Sequence, residues 1–142
     1  MELFVRHFDE LSLRELYDIL KLRIDVFVVE QNCPYPEADN KDQTAVHVFL
    51  KDEDGIQAYL RVMDRGAESE YVSIGRVIAV KRRCGLGSRI LSEGIRVAAD
   101  LYQADTIYLE AQTYAIGLYE NWDSGKFRKN SFWMEFLMLK CF

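Results

Sequence analysis

Arg82, Gly85 and Gly87, in the spacing R-x-x-G-x-G, lie within the stretch Ser73 to Leu101, between a β-branched run and an amphipathic one. That order reads as strand, turn, helix. The first N–H groups of a helix have no partner inside it, and with the helix dipole they form a site for an anion such as phosphate. Gly85 and Gly87 let a ligand approach the backbone, while Lys81, Arg82 and Arg83 add positive charge. The spacing is not a Walker loop, which ends in Gly-Lys-Ser/Thr. Nor is it a dinucleotide fingerprint, which needs a third glycine and parallel repeats. Glycine turns at strand–helix junctions also serve purely structural ends, so both readings stay open at these residues alone. Cys33, Cys84 and Cys141 are odd in number, widely spaced and not in a C-x-x-C pair. They read as free thiols in a reducing compartment.

The elements that must position this turn follow from periodicity. Glu2 to Phe8 alternates weakly and suits an opening strand. Ser12 and Glu15 make a capping box, and Leu13, Leu16, Leu20, Ile24 and Phe27 recur at helical spacing, which predicts a helix from Leu13 to Val29. Glu30 to Asp42 holds both prolines and a cluster of acidic residues, so it reads as a structured loop. Val46 to Lys51 and Ile56 to Met63, joined by Asp-Glu-Asp-Gly, form a hairpin. A further strand covers Thr106 to Ala111. A short helix suits Thr113 to Asn121, although Gly117 weakens it. The order of elements predicts an α/β domain with a mainly antiparallel sheet and helices on both faces.

A chain of 142 residues, 49% apolar, is long enough for one domain with its own core. A net charge of −5 argues against binding nucleic acid by neutralising phosphates. No apolar run is long enough to cross a bilayer, and the first residues lack the layout of a signal peptide. A cytoplasmic protein with no nucleic-acid or membrane partner is expected.

Four stretches together carry a resemblance. The R-x-x-G-x-G turn is similar to the acyl-CoA pyrophosphate loop of the GNAT superfamily of N-acetyltransferases. Leu16 to Asp42 followed by His47, Ile-Gly-Arg-Val at Ile74 to Val77, and Leu109 to Glu120 with Tyr119 resemble the ElaA-like branch of that superfamily. The resemblance spans about residues 10 to 120. It implies six or seven strands and about four helices in one domain, with acetyl-CoA wedged where the fourth and fifth strands splay apart.

The resemblance also implies roles. Val77, Ile78, Ala79 and Val80 would pair their backbone with the pantetheine amides. Arg82, Arg83, Cys84, Gly85, Leu86, Gly87 and Ser88 would hold the pyrophosphate. Tyr119 falls where the family places a phenol near the CoA sulfur, and a phenol with a pKa near 10 can protonate a leaving thiolate. A core tyrosine is the alternative. The acceptor, a small-molecule or peptide amine, must be neutral when it attacks, so a base is needed; Glu30, Glu37, Asp39 and His47 are candidates. His47 could equally be a structural hydrogen bonder. The acidic loop, with Glu37 and Asp39, would attract a cationic amine or simply be solvated. Arg23 and Arg76 match family positions, with ion pairs to that loop as the alternative role. Cys33 reads as a buried structural thiol, and no metal is implied.

Two departures from the family stand out. The chain is about two residues shorter than expected between Val77 and Arg82. The ending differs more: where the family continues with Gly-Phe, a strand, an Asp-Gly-Ile-Pro-His turn and a final strand, this chain reads Asn121 to Phe142. If each codon there is rebuilt from the third base of one and the first two of the next, Asn121-Trp122 must give Leu and Trp122-Asp123 must give Gly. Phe132 to Glu135 must give Leu-Asp-Gly. The following residues permit Ile-Pro-His-Val-Glu-Met. A single base lost near codons 119 to 121 would make residues 121–142 an out-of-frame tail. Ser131 to Leu139 is apolar enough to pair as a strand, yet lacks the alternation that leaves one face polar. A poorly packed tail or one buried in a homodimer is expected.

Overall fold

The computed structural model describes residues 1–30, 36–81, 85–112, 126–129 and 132–139, with the backbone alone for 110–112 and beyond. Strand β1 (Glu2–His7) leads through a 3₁₀ turn to helix α1 (Leu13–Arg23). The capping box forms as expected: Ser12 Oγ accepts from the Glu15 N–H at 3.0 Å, and Glu15 Oε1 accepts from the Ser12 N–H at 2.9 Å. Two orphan amides at the helix start are thereby satisfied. The helix is shorter than its apolar spacing suggests, because Ile24–Glu30 winds as a wider π-helical segment.

Strands β2 (Val46–Asp52) and β3 (Gly55–Met63) form the expected hairpin. Gly55 holds a φ of +111°, which a residue with a Cβ adopts only under strain. Strand β4 (Val72–Ala79) precedes helix α2 (Leu86–Tyr102), which is followed by strand β5 (Thr106–Gln112). These five strands make a mixed sheet, antiparallel from β1 to β4 and parallel between β4 and β5. Two backbone segments continue it, β6 (Lys126–Lys129) and β7 (Phe132–Leu139), giving the order β1-β2-β3-β4-β5-β7-β6. Strand β7 runs parallel to β5. The apolar tail thus forms the strand its composition allows. Two α-helices appear among the described residues rather than about four, and the short helix expected over Thr113 to Asn121 falls outside them.

The helices cover opposite faces. Val46, Val48, Leu50, Ala58, Leu60, Val62, Val72 and Ile74 alternate along β2 to β4 and meet Leu86, Ile90, Leu91, Ile95 and Ala98 of α2. A fully buried aliphatic side chain contributes about 1.5–3 kcal/mol, so this apolar face is a large favourable term set against the entropy of ordering the chain. Contact is close: a Cβ on Gly94 would come within 2.7 Å of Leu60 Cδ2. Phe49, Tyr59 and Ile78 project to the other face, against Ile19 and Phe27 of α1 and the segment after it. No helix among the described residues is long and apolar enough to cross a membrane.

Candidate active site

Two features meet at β4. The first is a break in the sheet. Strands β4 and β5 pair only from Val72–Ile107 to Ile74–Leu109, although both continue beyond that point. At the same place β4 carries a bulge: Tyr59 lies opposite Ile78 but Arg61 lies opposite Gly75, so β4 holds one residue more than β3. Arg76, within the bulge, has a φ of +55°. Bulges bend a strand and increase its local twist, which turns the end of β4 away from β5.

The ladder to β3 decides which backbone groups face the opening. The Val80 N–H donates to the Gln57 carbonyl at 2.9 Å, and Tyr59 lies opposite Ile78. In an antiparallel ladder, hydrogen-bonded pairs recur every second residue. Ile78 and Val80 therefore direct their polar backbone groups to β3, while Val77 and Ala79 direct theirs toward the gap beside β5. Of the four residues expected to present backbone to a pantetheine arm, alternation selects two.

Just beyond, Gly85 is the N-cap of α2 with a left-handed φ of +81°, and among the described residues no side chain caps the helix. Arg89 supplies the first intrahelical bond, donating to the Gly85 carbonyl at 3.0 Å. The amides of Leu86, Gly87 and Ser88 precede it and have no intrahelical acceptor. No acidic residue occupies the first turn to compete with an anion. This geometry fits a pyrophosphate. Arg82, Arg83 and Cys84, expected to share that role, lie outside the described residues.

The second feature is a buried ionic network on the α1 face. Arg23, at the end of α1, is fully buried; its Nε donates to Glu37 Oε1 at 2.7 Å, its Nη1 to Asp42 Oδ1 at 2.6 Å and its Nη2 to the Glu37 carbonyl at 3.1 Å. Arg61 of β3, equally buried, grips Asp39 through two bonds of 2.9 and 2.6 Å and reaches Asp42 Oδ1 at 2.8 Å. Arg76 adds Nε to Glu37 Oε1 at 2.9 Å and Nη2 to Asp39 Oδ2 at 3.4 Å. Three guanidinium groups thus balance three carboxylates, which is how a protein holds so many charges away from water.

The protonation states follow. Burial alone would raise Asp39, but its hydrogen bonds and the Arg61 charge hold it well below the usual carboxylate range. Asp42 is likewise depressed, the opposing effect of burial being outweighed by Arg23 and then Arg61. Burial works against the charge on Arg23 and Arg61, yet their partners push both above the ordinary guanidinium range. His47 is fully buried and is pushed down by that burial, with Arg23 and Arg61 adding to it. Its Nδ1 lies 2.7 Å from the Tyr59 hydroxyl and its Nε2 lies 3.0 Å from the Asp42 carbonyl.

Among known proteins, Protein ElaA of Escherichia coli is 35% identical over 119 residues, covering 81% of this chain and 78% of ElaA. A UPF0039 protein of Schizosaccharomyces pombe is 34% identical over 125 residues, covering 85% and 82%. The chain belongs to the ElaA-like branch of the GNAT superfamily. No protein-family model matches it. The crystal structure of E. coli ElaA superposes with a TM-score of 0.77 at 31% identity, over 91% of this chain and 93% of that one. An acyl-CoA N-acyltransferase from Pseudomonas aeruginosa gives 0.75 at 30% identity, over 94% and 95%.

Within this ElaA-like chain the expected site residues separate. Val77, Ala79, Gly85, Leu86, Gly87 and Ser88 gather along the gap and the start of α2. Glu37 and Asp39, expected to meet an amine, are instead tied to arginines. His47, a candidate base, has both ring nitrogens occupied and no exposed surface, so as placed it is a structural hydrogen bonder. Glu30 is exposed at the end of the π-helical segment. Tyr119 and Cys33 lie outside the described residues. Sequence reasoning missed Asp42, Tyr59 and Arg61. A signal existed: His47 and Arg61 interrupt the apolar runs Val46 to Leu50 and Ala58 to Met63 and pair directly across β2 and β3.

Proposed function

We propose that this protein is an acetyl-CoA-dependent N-acetyltransferase that acylates a primary amine by direct attack on the thioester. The observation that carries the reading is the gap between β4 and β5, beside the backbone of Val77 and Ala79, with the amides of Leu86, Gly87 and Ser88 at the start of α2 lacking intrahelical acceptors. Acetyl-CoA supplies an activated acyl group on a thiolate leaving group. In this reading Val77 and Ala79 pair with the pantetheine arm. The amides of Leu86, Gly87 and Ser88, with Arg82, Arg83, Cys84 and Gly85, hold the pyrophosphate. Tyr119 gives its phenolic proton to the departing sulfur. The amine loses its proton to Glu30, directly or through water. Because the carboxylates of Glu37, Asp39 and Asp42 are neutralised within the network, they hold the acceptor-side loop rather than attract the amine.

Free thiol released from acetyl-CoA in the presence of a panel of primary amines tests the activity. Tyr119→Phe should slow release at least tenfold, a general acid typically contributing about 10²–10⁴-fold, while leaving the acetyl-CoA-induced rise in melting temperature nearly intact. No amine-dependent release from the unaltered chain would sink the enzymatic reading.

The ending favours a second reading, a module that binds acyl-CoA with little or no turnover. The forced Leu-Gly and Leu-Asp-Gly triplets support residues 121–142 being read out of frame. Resequencing the encoding DNA distinguishes the cases. An intact frame removes this reason for reduced turnover, and a missing base predicts that the restored frame raises amine-dependent release above that of the present chain.

A further inference from the structure

Arg76 occupies an unusual position. It is the one described residue with a side chain in β1 to β5, glycines aside, that has a left-handed backbone, and it follows closely on the last pair of the β4–β5 ladder. For a residue with a Cβ that conformation is disfavoured, and it persists where the surroundings hold it. Here the surroundings are identifiable. The side chain is 9% exposed, and its guanidinium bonds to Glu37 Oε1 and Asp39 Oδ2. Neither carboxylate is loose: Glu37 is also bound through its side chain and its carbonyl by Arg23 of α1, and Asp39 through both oxygens by Arg61 of β3. The bulge is therefore anchored to two rigid elements through the loop between them.

The consequence for β4 is geometric. Before the bulge, Val72 and Ile74 face α2; after it, Val77 does. One extra residue keeps the apolar face in phase while turning the strand's end from β5. That turn gives Val77 and Ala79 an open side.

We propose that Arg76 is a positioning residue for acyl-CoA: gripped by Glu37 and Asp39, it holds the left-handed bulge that ends the β4–β5 ladder and keeps the cleft open. The inference rests on the acyl-CoA reading above. Arg76 acts through the backbone of Val77 and Ala79.

Alanine and glycine at position 76 separate this role from a general contribution to stability. Both remove the guanidinium, so both lower the melting temperature. Glycine adopts the left-handed conformation freely, whereas alanine does not. Measured by titration calorimetry with acetyl-CoA, Arg76→Ala should bind about tenfold more weakly than Arg76→Gly, which should stay within about threefold of the unaltered chain. Equal affinities for the two variants, whether high or low, overturn the proposal. If Arg76→Ala does not fold, Glu37→Gln weakens the grip, and Glu37→Gln with Arg76→Gly should recover the lost affinity; no recovery is equally adverse. An unaltered chain that fails to bind acetyl-CoA overturns the acyl-CoA reading and this inference together. Binding by that chain with equal variants overturns this inference alone.

Discussion

Leu60 and Arg61 are neighbours on β3, both fully buried, and they face opposite solvents within one protein. Leu60 enters hydrocarbon shared with α2. Arg61 enters a network of guanidinium and carboxylate groups that secures the loop at 36–42. Hydrophobic burial is non-directional and scales with area, so the α2 face stabilises the sheet without fixing any one atom. Charged hydrogen bonds are short and directional, so the α1 face fixes atoms, at a desolvation cost that apolar packing avoids. The difference teaches a division of labour. One face makes the sheet stable, and the other ties the loop at 36–42 to α1, to β3 and to Arg76 in the β4 bulge.

The sharpest way to break this comparison is Arg61→Ala. It leaves Asp39 without its bidentate partner and Asp42 with Arg23 alone, and removing one member of a buried ion pair typically costs about 3–5 kcal/mol. Urea unfolding should show a loss of that size. A loss below about 1 kcal/mol would mean that the network is solvated in solution and that the two faces differ less than their contacts imply.

The two faces were also unequally legible in the sequence. The apolar one is written in alternation along Val46 to Leu50 and Ala58 to Val62 and in the helical spacing of Ile90, Leu91 and Ile95, because periodicity is local. The capping box at Ser12 was readable for the same reason. The ionic face was not. Glu37 and Asp39 stand in an acidic loop that looks solvated or substrate-facing, and their partners lie far along the chain: Arg61 is 22 residues from Asp39, and Arg76 is 39 from Glu37. Only strand register brings those charges together. The gap could be inferred from the family resemblance, but not which of Val77 to Val80 line it, since that depends on the bulge at Arg76. The end of α1 was misjudged because Ile24 and Phe27 keep helical spacing after the winding has widened.

A smaller effect is expected on the apolar face. Gly94→Val places two methyl groups where even a Cβ would approach Leu60 Cδ1 at 2.9 Å and Ile74 Cδ1 at 3.4 Å. Overpacking of this kind costs about 1–3 kcal/mol. If the division of labour holds, the acetyl-CoA-induced rise in melting temperature should survive the substitution. Loss of that response, with folding retained, would show that the α2 face also shapes the cleft.

The least disruptive probe is pH, because it loads the ionic face with protons and leaves the other unchanged. His47 is held below its ordinary value of 6.5, chiefly by burial, with Arg23 and Arg61 repelling a second ring proton despite Asp42 nearby. The unfolded chain therefore takes up a proton at this residue before the folded chain does. Its contribution to stability is complete above about pH 6.5 and declines as pH falls below that. Asp39 and Asp42, both depressed from 3.8, keep their contribution until pH falls to about that value and lose it below. Unfolding free energy measured from pH 8 to 3 should thus fall in two stages. His47→Gln, which cannot titrate, should flatten the first and leave the second in place. If its profile between pH 6.5 and 5 matches that of the unaltered chain, the proton responsible enters elsewhere, and His47 is not the sensitive point of the ionic face.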